Sequence, residues 1–215
     1  MIQAVIFDMD GVLVDSEFAM RTAAILALKE WGVFAEHEDF IPFTGAGEDR
    51  FVGGVAELHG VPYVVEMKHR AYAIYLEICN DTIHRFPEIP ETVERLSAMG
   101  LKIAIASAAD AIKVNANIGA AGINPMYLGA LVTGDDVQKK KPDPAAFLLA
   151  AEKLGVEPQY CVVIEDAVNG IKAAVNAGMK SVGIPSSFAP EELLAAGADA
   201  IADETRLLPE LLADL

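Results

Sequence analysis

The stretch AVIFDMDGVLVDSE, residues 4–17, begins as an apolar run fit for a buried strand and then sets four acids within ten residues: Asp8, Asp10, Asp15 and Glu17. Continuous apolar residues suit a strand covered on both faces. The acidic end is what needs explaining. Carboxylates crowded beside a buried strand repel one another and lose stability unless a cation sits among them.

Working outward, five further strand-like runs follow: LKIAIAS (101–107), LGALVTG (128–134), CVVIED (161–166), KSVGIP (180–185) and DAIAD (199–203). They alternate with helical patterns, which predicts an α/β fold: a Rossmann-like parallel sheet with helices on both faces. Punctuation supports the helices. Asp143 is an N-cap with Pro144 at the first helical position and Gly155 past the end, and Pro90 and Gly100 bracket another helix.

Residues 17–86 break the alternation. FAMRTAAILALKEW reads as a helix with Arg21, Thr22, Lys29 and Glu30 on its polar face and Gly32 as its stop. A glycine-rich stretch, FTGAGEDRFVGG, then leads to more helical pattern around VVEMKHRAYAIYLEI. The expected organisation is an α/β core of residues 1–16 and 87–215, with residues 17–86 as a small α-helical insert.

Composition narrows the function. At 215 residues and 53% hydrophobic, the chain can bury one sizeable core. Mean hydropathy is +0.33, much of it from alanine, and no run reaches the roughly 18–20 apolar residues that span a bilayer. The first fifteen residues carry no basic leader, so the expected address is the cytoplasm. With 16 basic and 32 acidic residues, the net charge of −16 opposes nucleic acid and anionic membranes and favours a small ligand. Cys79 and Cys161 stand in apolar contexts as buried thiols, and His37, His59, His69 and His84 lack metal-ligand spacing.

In open α/β sheets ligands bind at the carboxyl ends of the strands. Asp8 and Asp10 end the first strand, Ser107 the second, Glu165 and Asp166 the fourth, and Lys141 lies in the loop after the third. Carboxylates from separate strands suit Mg²⁺, and a hydroxyl with an ammonium suits a phosphate beside it. A lone Asp-x-Asp is an ordinary turn feature, and Glu165 alone could cap the next helix. Competing phosphate motifs fail: Arg50 stands where a dinucleotide fingerprint after Gly45-Ala46-Gly47 needs glycine, and Asp135 stands where a P-loop from Gly129 needs lysine.

DMDGVLVDSE, Ser107, KKKPDP and VVIEDAVNGIKAAVNAGM, in this order and on these elements, resemble the four motifs of the haloacid dehalogenase superfamily of phosphohydrolases. The insert resembles that superfamily's helical cap, and the general pattern is similar to its β-phosphoglucomutase and phosphoglycolate phosphatase branch. The resemblance implies that Asp8 attacks phosphorus to form an aspartyl phosphate and that Asp10 serves as acid and then base. It implies Mg²⁺ on Asp8, Asp166 and the Asp10 backbone carbonyl, with Glu165 close by. Ser107 and Lys141 would hold the phosphoryl group, with Ala108 at the adjoining substrate position; Arg50, two positions late relative to that pattern, is this chain's expected contact from the insert to the substrate. Lys139 and Lys140 are expected to be solvent charges.

This chain departs from that pattern at three places, one of them Ala108, where the family commonly has Ser or Asn. Met20 replaces the histidine of DSxxxH. Thr44-Gly45-Ala46-Gly47-Glu48 replaces the Lys-Gly-x-Ser-Arg that approaches a second phosphate in the mutases. The expected function is therefore an Mg²⁺-dependent phosphatase acting on a small phosphorylated metabolite, as a monomer or weak homodimer. The alternatives are mutase-type phosphoryl transfer and a binding or signalling domain with a phosphorylatable Asp8.

Overall fold

Six parallel strands form the central sheet of this computed structural model, which describes residues 1–43 and 47–215. They are β1 (Ala4–Phe7), β4 (Lys102–Ala106), β5 (Leu128–Val132), β6 (Cys161–Glu165), β7 (Lys180–Gly183) and β8 (Ala200–Ile201), in the spatial order β5-β4-β1-β6-β7-β8. Acid-bearing β1 is thus central, flanked by β4 and β6 in parallel register, Ala4 opposite both Lys102 and Cys161.

Alternation along each strand sorts the two faces. Val5, Phe7, Ile103, Ile105, Val162 and Ile164 pack on one side, against α4 (Ile89–Ala98), α5 (Ala111–Ala121) and α9 (Leu208–Ala213). Ala4, Ile6, Ala104, Ala106 and Val163 point to the other, where α6 (Ala145–Leu154) and α7 (Val168–Asn176) cover them. The alanines on this second face let α6 lie close, with Phe147 filling the space. α8 (Pro190–Ala196) packs on α7 and β7. Both cysteines are buried free thiols, and burial pushes the Cys161 thiol up to about 11. Among the described residues no helix is long and apolar enough to cross a membrane.

The helical segment lies between two short strands, β2 (Val14–Asp15) and β3 (His84–Arg85), which pair antiparallel. It contains α1 (Glu17–Lys29), α2 (Glu48–Leu58) and α3 (Val65–Thr82). α1 and α3 pack along each other, and Tyr75 of α3 donates its hydroxyl to Asn117 Oδ1 of α5. Ala23, Ala27, Val52, Val55 and Tyr75 belong to the same buried cluster as Phe7 and Ile105, so apolar packing runs from the helices into the sheet.

Part of the glycine-rich stretch is itself helical: Glu48–Leu58 forms α2 and buries Gly53 and Gly54. A Cβ on Gly54 would stand 2.5 Å from the Phe43 ring, and one on Gly53 2.8 Å from Tyr63. The glycines are there for close approach, and packing overrides their poor helix propensity. The cap position of α6 falls on Pro144 rather than Asp143, although Asp143 Oδ1 still accepts from the Ala145 amide at 3.1 Å.

Candidate active site

The carboxyl ends of β1, β4 and β6 converge on a cleft of about 840 Å³, within the usual size of small-molecule sites. Asp8 continues β1 by one residue, its amide donating to Ile164 O at 2.9 Å. Ser107 continues β4, its amide bonded to Val132 O at 3.0 Å. Glu165 closes β6 and Asp166 follows it. Lys141 arrives from the loop ahead of α6, over the Phe147 ring at 4.6 Å, and joins Asp8 to Glu165. Its distance to Glu165 Oε1 is 2.6 Å.

Charge here does not balance. Asp8, Glu165 and Asp166 each bring a carboxylate oxygen to within 4.8 Å of the others, and Lys141 is the ammonium bonded among them. Three negative charges less one positive leave an excess of two, matching a divalent cation. The strain shows in the acids. Burial pushes the Asp8 carboxyl up to about 8; Lys141 opposes the rise, while Glu165 and Asp166 add to it. Asp166 is pushed up to about 7 by burial and then by Glu165, against the hydroxyls of Ser187 and Ser186. Burial disfavours the Lys141 cation, but its two carboxylates outweigh that and hold its pKa above the ordinary value. Gly11, at φ +79°, lets the chain turn past this cluster, and a Cβ there would overlap the Asp166 carboxylate.

Asp10 is held separately. Ser16 donates to its Oδ1, and Lys113 Nζ donates to its Oδ2 at 2.9 Å. Lys113 lies in the first turn of α5, buried, and Asp10 and Glu48 overcome the penalty of burial to keep it charged. Sequence reasoning missed it. The signal was a single lysine near the start of the helix that follows Ser107.

The other expected residues divide. Ser107, Ala108 and Met20 line the cleft. Glu165 stays within the acidic group, but Lys141 takes one oxygen and the Ala167 amide the other, at 2.8 Å, so it orients the lysine and also caps α7. Arg50 is a correction: its guanidinium pairs with Glu57 at 2.7 Å and covers the Phe43 ring, away from the cleft. A turn of 100° per residue puts Glu48 and Phe51 together and Arg50 on the far side of α2. Lys139 and Lys140 are both exposed, as expected; Lys139 stands beside Asp143, and Lys140 also lines the cleft with Nζ 3.4 Å from Ala108 O. Glu48, Phe51, Phe86, Ser186, Ser187 and Phe188 complete the walls and were not expected there. Thr44, Gly45 and Ala46, the start of the departure from the mutase pattern, lie outside the described residues.

The model of the family described as haloacid dehalogenase-like hydrolases matches residues 2–178. The chain belongs to that family. Over 207 residues this haloacid dehalogenase-like chain is 41% identical to Protein SUPPRESSOR OF QUENCHING 1, chloroplastic, of Arabidopsis thaliana. That match covers 94% of this chain and only 20% of the plant protein's length. A phosphorylated carbohydrates phosphatase of Thermotoga maritima is 30% identical over 220 residues, 96% of each chain. Among solved structures, CbbY from Rhodobacter sphaeroides in complex with phosphate matches with a TM-score of 0.83 at 25% identity, over 97% of this chain and 96% of that one. In a haloacid dehalogenase-like hydrolase the helices between β2 and β3 are the cap, and the cleft lies between cap and core.

Proposed function

We propose that the protein is an Mg²⁺-dependent phosphatase that hydrolyses a small phosphomonoester through an aspartyl phosphate on Asp8. The observation that carries this is the division of labour among the acids: Asp8, Glu165 and Asp166 share Lys141 with two charges in excess, while Asp10 has its own lysine. Asp8, Asp166 and the Asp10 backbone carbonyl would hold the ion, with Glu165 alongside. When bound, Mg²⁺ supplies the positive charge that offsets the carboxylates and draws the phosphoryl oxygens towards Asp8.

In the first step a carboxylate oxygen of Asp8 attacks phosphorus, the bond to the ester oxygen breaks, and Asp10 donates a proton to the departing alcohol. In the second, Asp10 takes a proton from water whose oxygen attacks the phosphorus, and the Asp8–phosphate bond breaks to release inorganic phosphate. Ser107 donates to a phosphoryl oxygen, and Lys141 balances charge that spreads over the transferring group. Met20, Phe51, Phe86 and Phe188 restrict water around the leaving group.

A mutase must also grip a second phosphate. Arg50 is turned away and Glu48 stands on the cleft wall, which favours hydrolysis over transfer. The reading includes a small phosphorylated metabolite as partner and a cytoplasmic address. It is tested by phosphate release from an aryl phosphate, abolished by a chelator and restored by Mg²⁺. If wild type releases none on a broad ester panel, or Asp8→Asn matches wild type, the proposal fails.

A further inference from the structure

The cleft wall opposite the strand ends comes from the cap, and its polar groups are acidic. Glu48 opens α2 and lines the cleft with Phe51, which follows three residues later on the same helix face. Glu48 Oε2 is shielded from solvent and has no hydrogen-bond partner among the described residues. Two cations act on Glu48 without donating to it: Lys113, which donates to Asp10 at 2.9 Å, and the exposed Lys140, whose Nζ lies 3.4 Å from Ala108 O. Burial raises the Glu48 pKa, and Lys113 opposes that rise.

An acid in the first turn of a helix is favoured by the helix dipole, which accounts for the residue type. It does not account for a shielded oxygen with no donor on the wall of a ligand-sized cleft, where buried acceptors are normally satisfied. Asp15 and Glu17 add to the acidity of the cleft, Glu17 paired with Arg21 at 2.5 Å. No arginine lines the cleft among the described residues.

We propose that Glu48 selects the alcohol part of the substrate, accepting a hydrogen bond from a hydroxyl of an uncharged polyol or sugar and rejecting leaving groups that carry a second phosphate or a carboxylate. The inference rests on the phosphatase reading above. A second anion brought to this wall meets a carboxylate oxygen that offers no donor, in a partly enclosed cleft where like charges repel more strongly than in water. A hydroxyl supplies the missing donor instead. The carbon skeleton of a polyol can then rest against Met20 and Phe51.

The test compares glycerol 3-phosphate with 3-phosphoglycerate, which share a three-carbon skeleton and differ in the distal carboxylate. Wild type is expected to prefer glycerol 3-phosphate in kcat/KM by about tenfold or more. Glu48→Gln should erase most of that preference, and Glu48→Arg should reverse it. Equal or better use of 3-phosphoglycerate by wild type overturns the proposal, as does a ratio that neither substitution moves. Phosphoethanolamine outrunning glycerol 3-phosphate overturns the hydroxyl assignment.

Wild-type turnover of an aryl phosphate checks the underlying reading separately, so a dead enzyme is not mistaken for an unselective one. Calorimetric binding of both three-carbon esters to Asp8→Asn gives a readout independent of turnover. Absence of a glycerol 3-phosphate preference there also overturns the role of Glu48.

Discussion

On the core wall of the cleft the polar side chains hold one another. Lys141 bridges Asp8 and Glu165, two serines hold Asp166, and Lys113 with Ser16 holds Asp10. On the cap wall Glu48 has an oxygen without a partner, and its neighbours Met20 and Phe51 offer only apolar surface. Groups that must meet a transition state gain from being fixed before substrate arrives. Groups that meet the variable part of a substrate gain from having a bond left to make. On the reading proposed above, one wall meets the constant phosphoryl group and the other the alcohol.

That contrast can be broken most directly at Asp8. Asp8→Asn is expected to lower turnover of every ester by about a thousandfold or more, read as kcat by phosphate release. A variant that lost activity on only some esters would place Asp8 in specificity instead. Next comes Lys113→Met, which removes the buried cation on Asp10 while leaving Asp8, Ser107 and Lys141 in place. We expect kcat to fall on the order of a hundredfold, with partial recovery in Lys113→Arg. Wild-type kcat in the methionine variant would show that Lys113 only fills space.

The joint between the walls is tested by Tyr75→Phe, which leaves the buried Asn117 oxygen without its donor. Urea denaturation should show a loss of about 1–3 kcal/mol. An unchanged midpoint would mean that the contact between α3 and α5 is carried by apolar packing alone. The smallest effect is expected from Arg50→Ala. Its exposed pair with Glu57 is worth at most about 1 kcal/mol, and kcat/KM should be unchanged. A marked rise in KM would return Arg50 to the cleft.

The core wall was legible in the sequence because strand ends are. Apolar runs locate β1, β4 and β6, and their polar terminators Asp8, Ser107, Glu165 and Asp166 fall together whatever the loop details. Lys113 was not legible, because one lysine in a mixed helical pattern does not reveal that it reaches 103 residues back to Asp10. The cap wall depends on which face of α2 turns inward. The glycine-rich stretch was assigned no element, and packing of Gly53 and Gly54 against Phe43 and Tyr63 accompanies a helix whose phase brings Glu48 in and sends Arg50 out. Position along a strand follows from a period of two, whereas helix phase against a neighbour follows from side-chain volumes that no single stretch contains.

The paired strands β2 and β3 set Asp15 directly across from His84. The chain therefore enters and leaves the helical segment at adjacent points, a separation that a two-residue hairpin turn can close. The whole helical module is in this sense detachable: exchanging it for another, or for a bare turn, leaves every strand of the main sheet in its original connection. On the proposed reading, the group that meets the alcohol lies within one contiguous segment, and the groups that meet the phosphoryl lie outside it.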